Sequence, residues 1–277
     1  MLRVLGRCSV TGVKHKATPL LRLELDVSRI RTRSNCNQLS SSSSRSKHSN
    51  TMKLWTSPES RGTRVCWALH ELGVADDCEL VSMPFPPRVT YPEYLQTNVL
   101  GTIPYFEDGE HCKMTESVGI CVYLVQKYAP SQLSIQPHEI DYPAYLNWLF
   151  HADATLTFPQ TVVLRYTRQE KGMADAAVEG YARFYLARLR MINQTLADGR
   201  EFLCGGRFTI ADIVIAFALS LGTTLHVSNT PGSKLISEFY KPHVTAYMNR
   251  MLARPGYVTA RDAEDTGLKE FETKAKL

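Results

Sequence analysis

The fold of this chain is decided by residues 103–117, which read IPYFEDGEHCKMTES. An apolar segment leads into Asp108-Gly109 and a second short segment leaves it, and Asp-Gly between two strand-like segments is a strong hairpin signal. The triplet 115–117 (Thr-Glu-Ser) then opens a helix with apolar periodicity, where a hydroxyl oxygen would satisfy free backbone donors. Free donors beside a hydroxyl and a carboxylate suit a ligand that carries both a carboxylate and an ammonium. The stretch therefore predicts a site for an amino-acid-like ligand end.

Length and composition predict a soluble globular protein. The 277 residues are enough for two modest domains, each with its own core. Hydrophobic residues make up 44% and charged residues 21%, and no apolar run approaches the roughly 20 residues that span a bilayer. The seven cysteines are an odd number without a C-x-x-C pair, which argues against a disulfide framework and against a zinc site. We therefore expect reduced thiols, no metal and no membrane as a partner.

The formal charge of +5 is unevenly distributed along the chain. Residues 1–51 contain ten Lys or Arg and only two acids, whereas the remainder contains 22 basic and 25 acidic residues. The globular part is therefore mildly acidic, which argues against nucleic acid as a partner. The leader is rich in Arg and Ser, which is typical of an organellar transit peptide. A disordered extension, or a working start at Met52, stays an alternative, so the expected location is cytoplasmic or else mitochondrial or in another organelle.

From Met52 onward, residues 52–129 predict a first domain with the order β-α-β-α-β-β-α. The expected elements, in chain order, are 53–56, 61–72, 78–83, 91–97, 103–104, 112–114 and 116–128. Such an order implies a small mixed sheet with helices on its faces.

After Pro130 the strand patterns disappear. We expect a linker over 130–142, four or five helices over 143–265 and a tail over 266–277. The segment 174–196 repeats apolar residues at steps of three and four, which indicates a core-facing helix. Thr209 and Asp212 have the spacing of a capping box, with Asp in place of the usual Glu, so we assign this acid a structural role.

Four pieces of the sequence together resemble the cytosolic-type glutathione S-transferases. They are residues 52–55 with the turn that follows, 98–104, 115–117 and 208–212, in the family's order and spacing. The resemblance covers roughly residues 52–257, and the helical half looks most like bacterial and microbial members of unassigned class. It implies an α/β thioredoxin-like domain followed by an all-α helical bundle domain.

The resemblance also implies a site for glutathione as co-substrate, with no other cofactor. Pro104 corresponds to the family's cis-proline, and Ile103 would exchange main-chain hydrogen bonds with the cysteinyl part of glutathione. Glu116 and Ser117 correspond to the pair that holds the γ-glutamyl ammonium and carboxylate. Without the resemblance, Glu116 would be a first-turn acid that complements the helix dipole.

The thiol-activating residue is assigned by its offset from an arginine. Ser60 precedes Arg64 by four residues, which resembles the serine-type classes and makes Ser60 the catalytic candidate. Ser57 and Thr56 are the reserve candidates, and Ser60 could equally be only the cap of the first helix.

Two other subsites are less specified by the pattern. Many relatives use Lys or Gln for the glycyl carboxylate where this chain has Thr102, so Arg61, Arg88 or Lys113 would have to substitute. The electrophile pocket is expected between the domains, and its candidate residues on the first long helix are Tyr145, His151, Phe158 and Tyr166. Aromatic residues at helical spacing are more often core, and His151 is more readily a polar interface residue than a base.

The function that the resemblance implies is conjugation of the glutathione thiolate to small electrophiles, with detoxification as the role and a homodimer as the assembly. A glutathione-dependent isomerase, dehalogenase or peroxidase on the same scaffold stays an alternative. So does a non-catalytic binding module or a carrier of apolar ligands. Because no cysteine lies between Met52 and Cys66, disulfide reduction is disfavoured.

Overall fold

The structure is a computed structural model that describes residues 52–128 and 132–276. The leader at 1–51, for which the composition suggested a transit peptide, lies outside the described residues. The described chain forms an α/β domain followed by a helical domain, which confirms the predicted fold class.

A four-stranded mixed sheet forms the centre of the first domain. Its strands are β1 (Met52–Thr56), β2 (Cys78–Ser82), β3 (Tyr105–Asp108) and β4 (Cys112–Met114). The order across the sheet is β2-β1-β3-β4, with β1 parallel to β2 and antiparallel to β3, and β3 antiparallel to β4. Gly109 turns the β3–β4 hairpin with a φ of 65°, a value that glycine adopts without a steric penalty.

Three α-helices accompany the sheet: α1 (Gly62–Glu71), α2 (Pro87–Thr90) and α3 (Ser117–Lys127). The helix expected over 91–97 is a 3₁₀ turn at Pro92–Gln96, and α2 occupies the proline-rich loop where no element was expected. The strand expected at 103–104 begins instead at Tyr105, because Pro104 has no N–H to contribute to a ladder.

The helical domain contains six α-helices among the described residues, more than the four or five expected. They are α4 (Tyr142–Phe150), α5 (Phe158–Leu164), α6 (Asp175–Thr195), α7 (Ile210–Leu221), α8 (Pro242–Leu252) and α9 (Pro255–Lys274). Two π-helical stretches, His151–Thr157 and Arg165–Gln169, continue α4 and α5. Within the described ranges, no helix is both long enough and apolar enough to cross a membrane.

The last helix differs from the expected boundary. Instead of ending near residue 265 before a tail at 266–277, α9 continues to Lys274. It packs on α1 and β2 of the first domain, and the ring of Phe271 lies 5.4 Å from that of Tyr91. The sequence of this segment is polar and has little apolar periodicity, so it did not predict a helix. Tertiary contacts with the first domain stabilise the helical conformation instead.

The capping box at the start of α7 is confirmed. Thr209 Oγ1 accepts a hydrogen bond from the backbone N–H of Ala211, and Asp212 Oδ2 accepts one from the Thr209 N–H at 2.9 Å. Asp212 Oδ1 also accepts from the Leu203 N–H at 3.0 Å and from the Tyr247 hydroxyl at 2.9 Å. The carboxylate therefore joins three segments of the helical core.

We predict that Asp212→Asn destabilises the protein. The amide places an NH₂ group where one carboxylate oxygen accepts, so at least one buried donor loses its acceptor. The free energy of unfolding should fall by about 1–3 kcal/mol, as measured by urea denaturation. The control is Asp198→Asn, which alters an exposed carboxylate that pairs with Arg200 at the surface and should change stability little. Equal losses in the two variants would contradict the assignment.

Candidate active site

A cavity of about 420 Å³ lies between the two domains. The first domain lines it with the loop 58–61, the Phe85-Pro86 turn and Ile103. The helical domain lines it with side chains from 157–169 and from 221–225. The volume is in the range of small-molecule sites, and the lining mixes apolar and hydrogen-bonding groups, as such sites usually do.

Ser60 lies at this cavity, in the turn between β1 and α1. Its Oγ accepts a hydrogen bond from the Gly62 N–H at 3.1 Å. A hydroxyl has one donor and two acceptor positions, so the Ser60 proton stays free to donate to another atom. Position 62 admits only glycine without rearrangement, because a Cβ there would lie 2.0 Å from Thr56 Oγ1.

The two reserve hydroxyls have different surroundings. Thr56 is fully buried and donates its hydroxyl proton to Glu264 at 2.6 Å. Ser57 is buried and, unlike Ser60, is not among the residues that line the cavity. Of the three candidates that the sequence left open, Ser60, which is 8% exposed, is the one that lines the cavity.

The four residues expected to anchor a ligand are positioned by β3 and α3. The Ile103–Pro104 peptide bond is cis, as the resemblance implied, and Ile103 lines the cavity. Glu116 is the N-cap residue of α3, is exposed, and makes no side-chain capping bond. Ser117 is buried, and its Oγ accepts a hydrogen bond from Arg64 Nη1 at 3.1 Å.

Arg64 connects these elements. Its side chain is 0% exposed, and besides Ser117 it bonds Asp153 at 2.5 Å and Thr157 Oγ1 at 2.9 Å. Its guanidinium also lies 5.0 Å from the ring centre of Phe217. Burial lowers the pKa of Arg64, and the carboxylate of Asp153 opposes that shift. The first turns of α1 and α3 are thereby joined to the π-helical stretch of the second domain.

Comparison with known proteins agrees with this architecture. The family model of the glutathione S-transferase N-terminal domain matches residues 54–132, and that of the C-terminal domain matches residues 151–255. This chain belongs to the glutathione S-transferase family. Curated relatives include Glutathione S-transferase GstA of Escherichia coli O157:H7, 28% identical over 179 residues that cover 64% of this chain and 80% of the relative. Human Glutathione S-transferase theta-2B is 28% identical over 195 residues, covering 66% and 73%.

Solved structures of the family share the fold. The glutathione transferase URE2P8 of Phanerochaete chrysosporium, solved with oxidized glutathione, matches with a TM-score of 0.65 at 22% identity over 80% of this chain and 98% of that one. A sphingomonad glutathione S-transferase complexed with glutathione matches with a TM-score of 0.63 at 23% identity, over 77% and 98%. At these identities the likeness concerns the fold.

The aromatic candidates for the electrophile pocket are not among the residues that line this cavity. Tyr145 is buried in the core, and Phe158 is 55% exposed with its ring 6.0 Å from that of Tyr181. His151 packs its ring on Trp148 at 5.4 Å, and burial lowers its pKa. The carbonyl of Tyr166 accepts a bond from Asn229, and its ring packs on the core.

The helical residues that do line the cavity share another face of the same helical run. They are Thr157, Gln160, Thr161, Leu164, Arg168 and Gln169. The π-helical stretch 151–157 takes more residues per turn than an α-helix, so a straight α-helix does not give the directions of the side chains that follow it. The steps of three and four from 157 to 168 were a readable signal, but nothing in the sequence distinguished them from a solvent-facing stripe.

Of the three basic residues considered for a glycyl carboxylate, only Arg61 lines the cavity. Its backbone carbonyl accepts from the Arg64 N–H, but among the described residues its side chain has no hydrogen-bond or ion-pair partner. Lys113 lies 3.5 Å from Glu107, and Arg88 is exposed on α2. Across 52–128 and 132–276, no group of three or more His, Cys, Asp or Glu is arranged to hold a metal ion.

We predict that Arg64→Met destabilises the protein by about 1–3 kcal/mol, because Ser117, Thr157 and the partly exposed carboxylate of Asp153 all lose the donor that they share. Chemical denaturation measures this loss. The double variant Arg64→Met/Asp153→Leu removes both charges and should recover a substantial part of it. A double variant no more stable than the single one would show that the ion pair is not the source of the effect.

Proposed function

We propose that this family member is a glutathione transferase that conjugates the glutathione thiolate to a small electrophile bound in the interdomain cavity. The observation that supports it best is the position of Ser60, which lines that cavity with its hydroxyl proton unused. The proposal extends to this chain what the names of its relatives state, and the two structural neighbours described above were solved with glutathione or its oxidized form.

The energetic demand fits a serine hydroxyl. A free thiol has a pKa near 8.5, so a mostly ionised thiol at neutral pH needs a shift of roughly two units, or about 2.7 kcal/mol. The N-terminus of α1 would supply about 0.3–1 kcal/mol through its dipole. A hydrogen bond to a charged group contributes about 1.5–3 kcal/mol. Ser60 would therefore donate to the thiolate and stabilise it, and it would not act as a base.

The remaining contacts to glutathione follow from the elements around Ser60. In our proposal the Ile103 main chain binds the cysteinyl part, while Glu116 and Ser117 bind the γ-glutamyl end at the start of α3. Ser117 is buried and already accepts from Arg64, so its contribution would be its free proton or its backbone N–H. Arg61 is our candidate for the glycyl carboxylate. It lines the cavity, and among the described residues its side chain has no hydrogen-bond or ion-pair partner.

The alternatives separate in one assay series. Retention on immobilised glutathione, followed by conjugation of a chlorinated nitroaromatic, supports the transferase. Retention without turnover would favour the carrier or binding module, and turnover of a peroxide or haloalkane instead would favour the other enzymes on this scaffold.

The homodimer stays a prediction, favoured by exposed apolar side chains on the segment 85–100, which include Phe85, Val89, Val99 and Leu100.

We predict that Ser60→Ala lowers turnover more than it lowers glutathione affinity. Without the hydroxyl, the pKa of the bound thiol should rise by about one to two units, corresponding to the lost hydrogen bond. The pH–rate profile and the ultraviolet absorbance of the thiolate both measure the shift. Ser57→Ala is the matched control and should leave the profile unchanged. A profile that moves for Ser57→Ala but not for Ser60→Ala would exchange their roles.

We further predict that Glu116→Gln weakens glutathione binding. The amide keeps the size of the side chain but loses the charge that would pair with the γ-glutamyl ammonium, so Kd should rise by roughly tenfold or more. Calorimetry measures the change. Glu110→Gln, an exposed acid in the β3–β4 hairpin, is the control. Equal affinity in the Glu116 variant and the parent would remove this anchor from the proposal.

A further inference from the structure

A buried carboxylate from the last helix reaches the turn that carries Ser60. Glu264 lies in α9 and is 0% exposed. One of its oxygens accepts a hydrogen bond from Thr56 Oγ1 at 2.6 Å, and the other accepts from Thr63 Oγ1 at 2.7 Å. Thr56 is the last residue of β1 and Thr63 is the second residue of α1. One carboxylate therefore joins the two ends of the loop 57–61.

The same helix approaches the loop at a second point. Arg261, one turn before Glu264, places a guanidinium nitrogen 3.9 Å from Glu59 and another 3.9 Å from Glu264. Glu59 has a φ of 61°, in the left-handed region that residues other than glycine rarely adopt. Such a conformation persists where the surroundings hold it. The helix α9 supplies part of those surroundings.

Burial makes Glu264 difficult to ionise at this place. Burial raises the pKa of Glu264 to about 7, although the hydroxyls of Thr56 and Thr63 and the charge of Arg261 lower it. Asp265 on its own helix raises it further, and Cys66 of α1 also faces it. Because the folded protein holds this proton more tightly than the unfolded chain, the group's contribution to stability falls as pH rises towards 7. The ionised carboxylate thus costs folding free energy.

We propose that Glu264 is a positioning residue for the thiol-activating hydroxyl. By bonding Thr56 and Thr63 it fixes the spacing between the end of β1 and the start of α1, and hence the direction of the Ser60 O–H. The inference rests on the proposed role of Ser60. A hydrogen bond weakens steeply as its angle closes, so a small rotation of the loop is enough to lower the thiolate fraction.

The experiment uses the full chain and four proteins: the parent, Glu264→Leu, Ser60→Ala and the double variant. Leucine is used because an amide could keep both bonds: a threonine hydroxyl can accept from an NH₂ group as well as donate. For each protein, the pKa of the bound glutathione thiol is measured by ultraviolet absorbance, together with kcat and the glutathione Kd. Glu264→Leu should raise the thiol pKa by about one unit and lower kcat about tenfold below that pKa, with little change in Kd. In the Ser60→Ala background, Glu264→Leu should add no further rise, since the two residues act as one unit.

The direction in which the thiol pKa moves distinguishes a positioning role of Glu264 from a direct electrostatic effect of its charge. Removing a negative charge near the thiol would by itself lower the thiol pKa, in both backgrounds. Glu264→Ala, which also loses the volume, should raise the thiol pKa more than Glu264→Leu. If the alanine variant does not fold, the leucine variant decides. Asp212→Asn is the matched control: its carboxylate is equally buried but bonded within the helical domain, so it should lower stability without moving the thiol pKa.

Two results overturn the inference while leaving the role of Ser60 intact: an unchanged thiol pKa in Glu264→Leu, or an equal shift in the presence and absence of the Ser60 hydroxyl. A parent protein without glutathione-dependent turnover refutes the proposed function itself, and this inference with it.

Discussion

Burying the guanidinium of Arg64 requires both domains to bring oxygen atoms to one place. Arginine keeps its charge in proteins, so a fully buried guanidinium must be surrounded by acceptors. The first domain supplies Ser117, and the helical domain supplies Asp153 and Thr157. Because both helical partners lie in one π-helical stretch, its wider turn is fixed against α1 and α3. Thr157 also lines the cavity, so the same contacts set one wall of the candidate site.

The helix α1 is consequently held along its whole length. Its second residue, Thr63, bonds Glu264, and Arg64 lies beside it. Its last residue, Glu71, accepts two hydrogen bonds from Arg254, at the start of α9, both at 2.8 Å. All three attachments lead to the helical domain, and two of them lead to α9. The start of α1, which directly follows the turn that carries Ser60, therefore moves only if the domain interface moves with it.

The sequence predicted those parts of the structure that depend on short-range signals. The Asp108-Gly109 hairpin, the capping box at Thr209 and the proline at 104 are each specified within a few residues. Contacts between residues far apart in the chain could not be predicted from such local signals. Glu264, for example, accepts hydrogen bonds from two residues more than 200 positions before it. The aromatic candidates on the long helix were chosen by residue type, and the residues that line the cavity lie on another face. A π-helical insertion also rotates everything after it by about 100° per extra residue, and nothing in the pattern of residues 151–157 announced it.

The sequence left open whether Ser60 caps α1 or activates a thiol. The N-cap residue itself is Arg61, which makes no side-chain capping bond, but the Ser60 hydroxyl accepts from the first helical N–H and can still donate its proton. The bond from the Gly62 N–H uses one acceptor position of the hydroxyl and fixes its oxygen at the mouth of the helix. Fixing the oxygen removes rotamer freedom before any ligand arrives, so less entropy is lost when the proton is donated. A hydroxyl surrounded only by protein could not donate its proton to a ligand, whereas Ser60 lines a cavity. Capping thus supplies the preorganisation that donation to a thiolate needs.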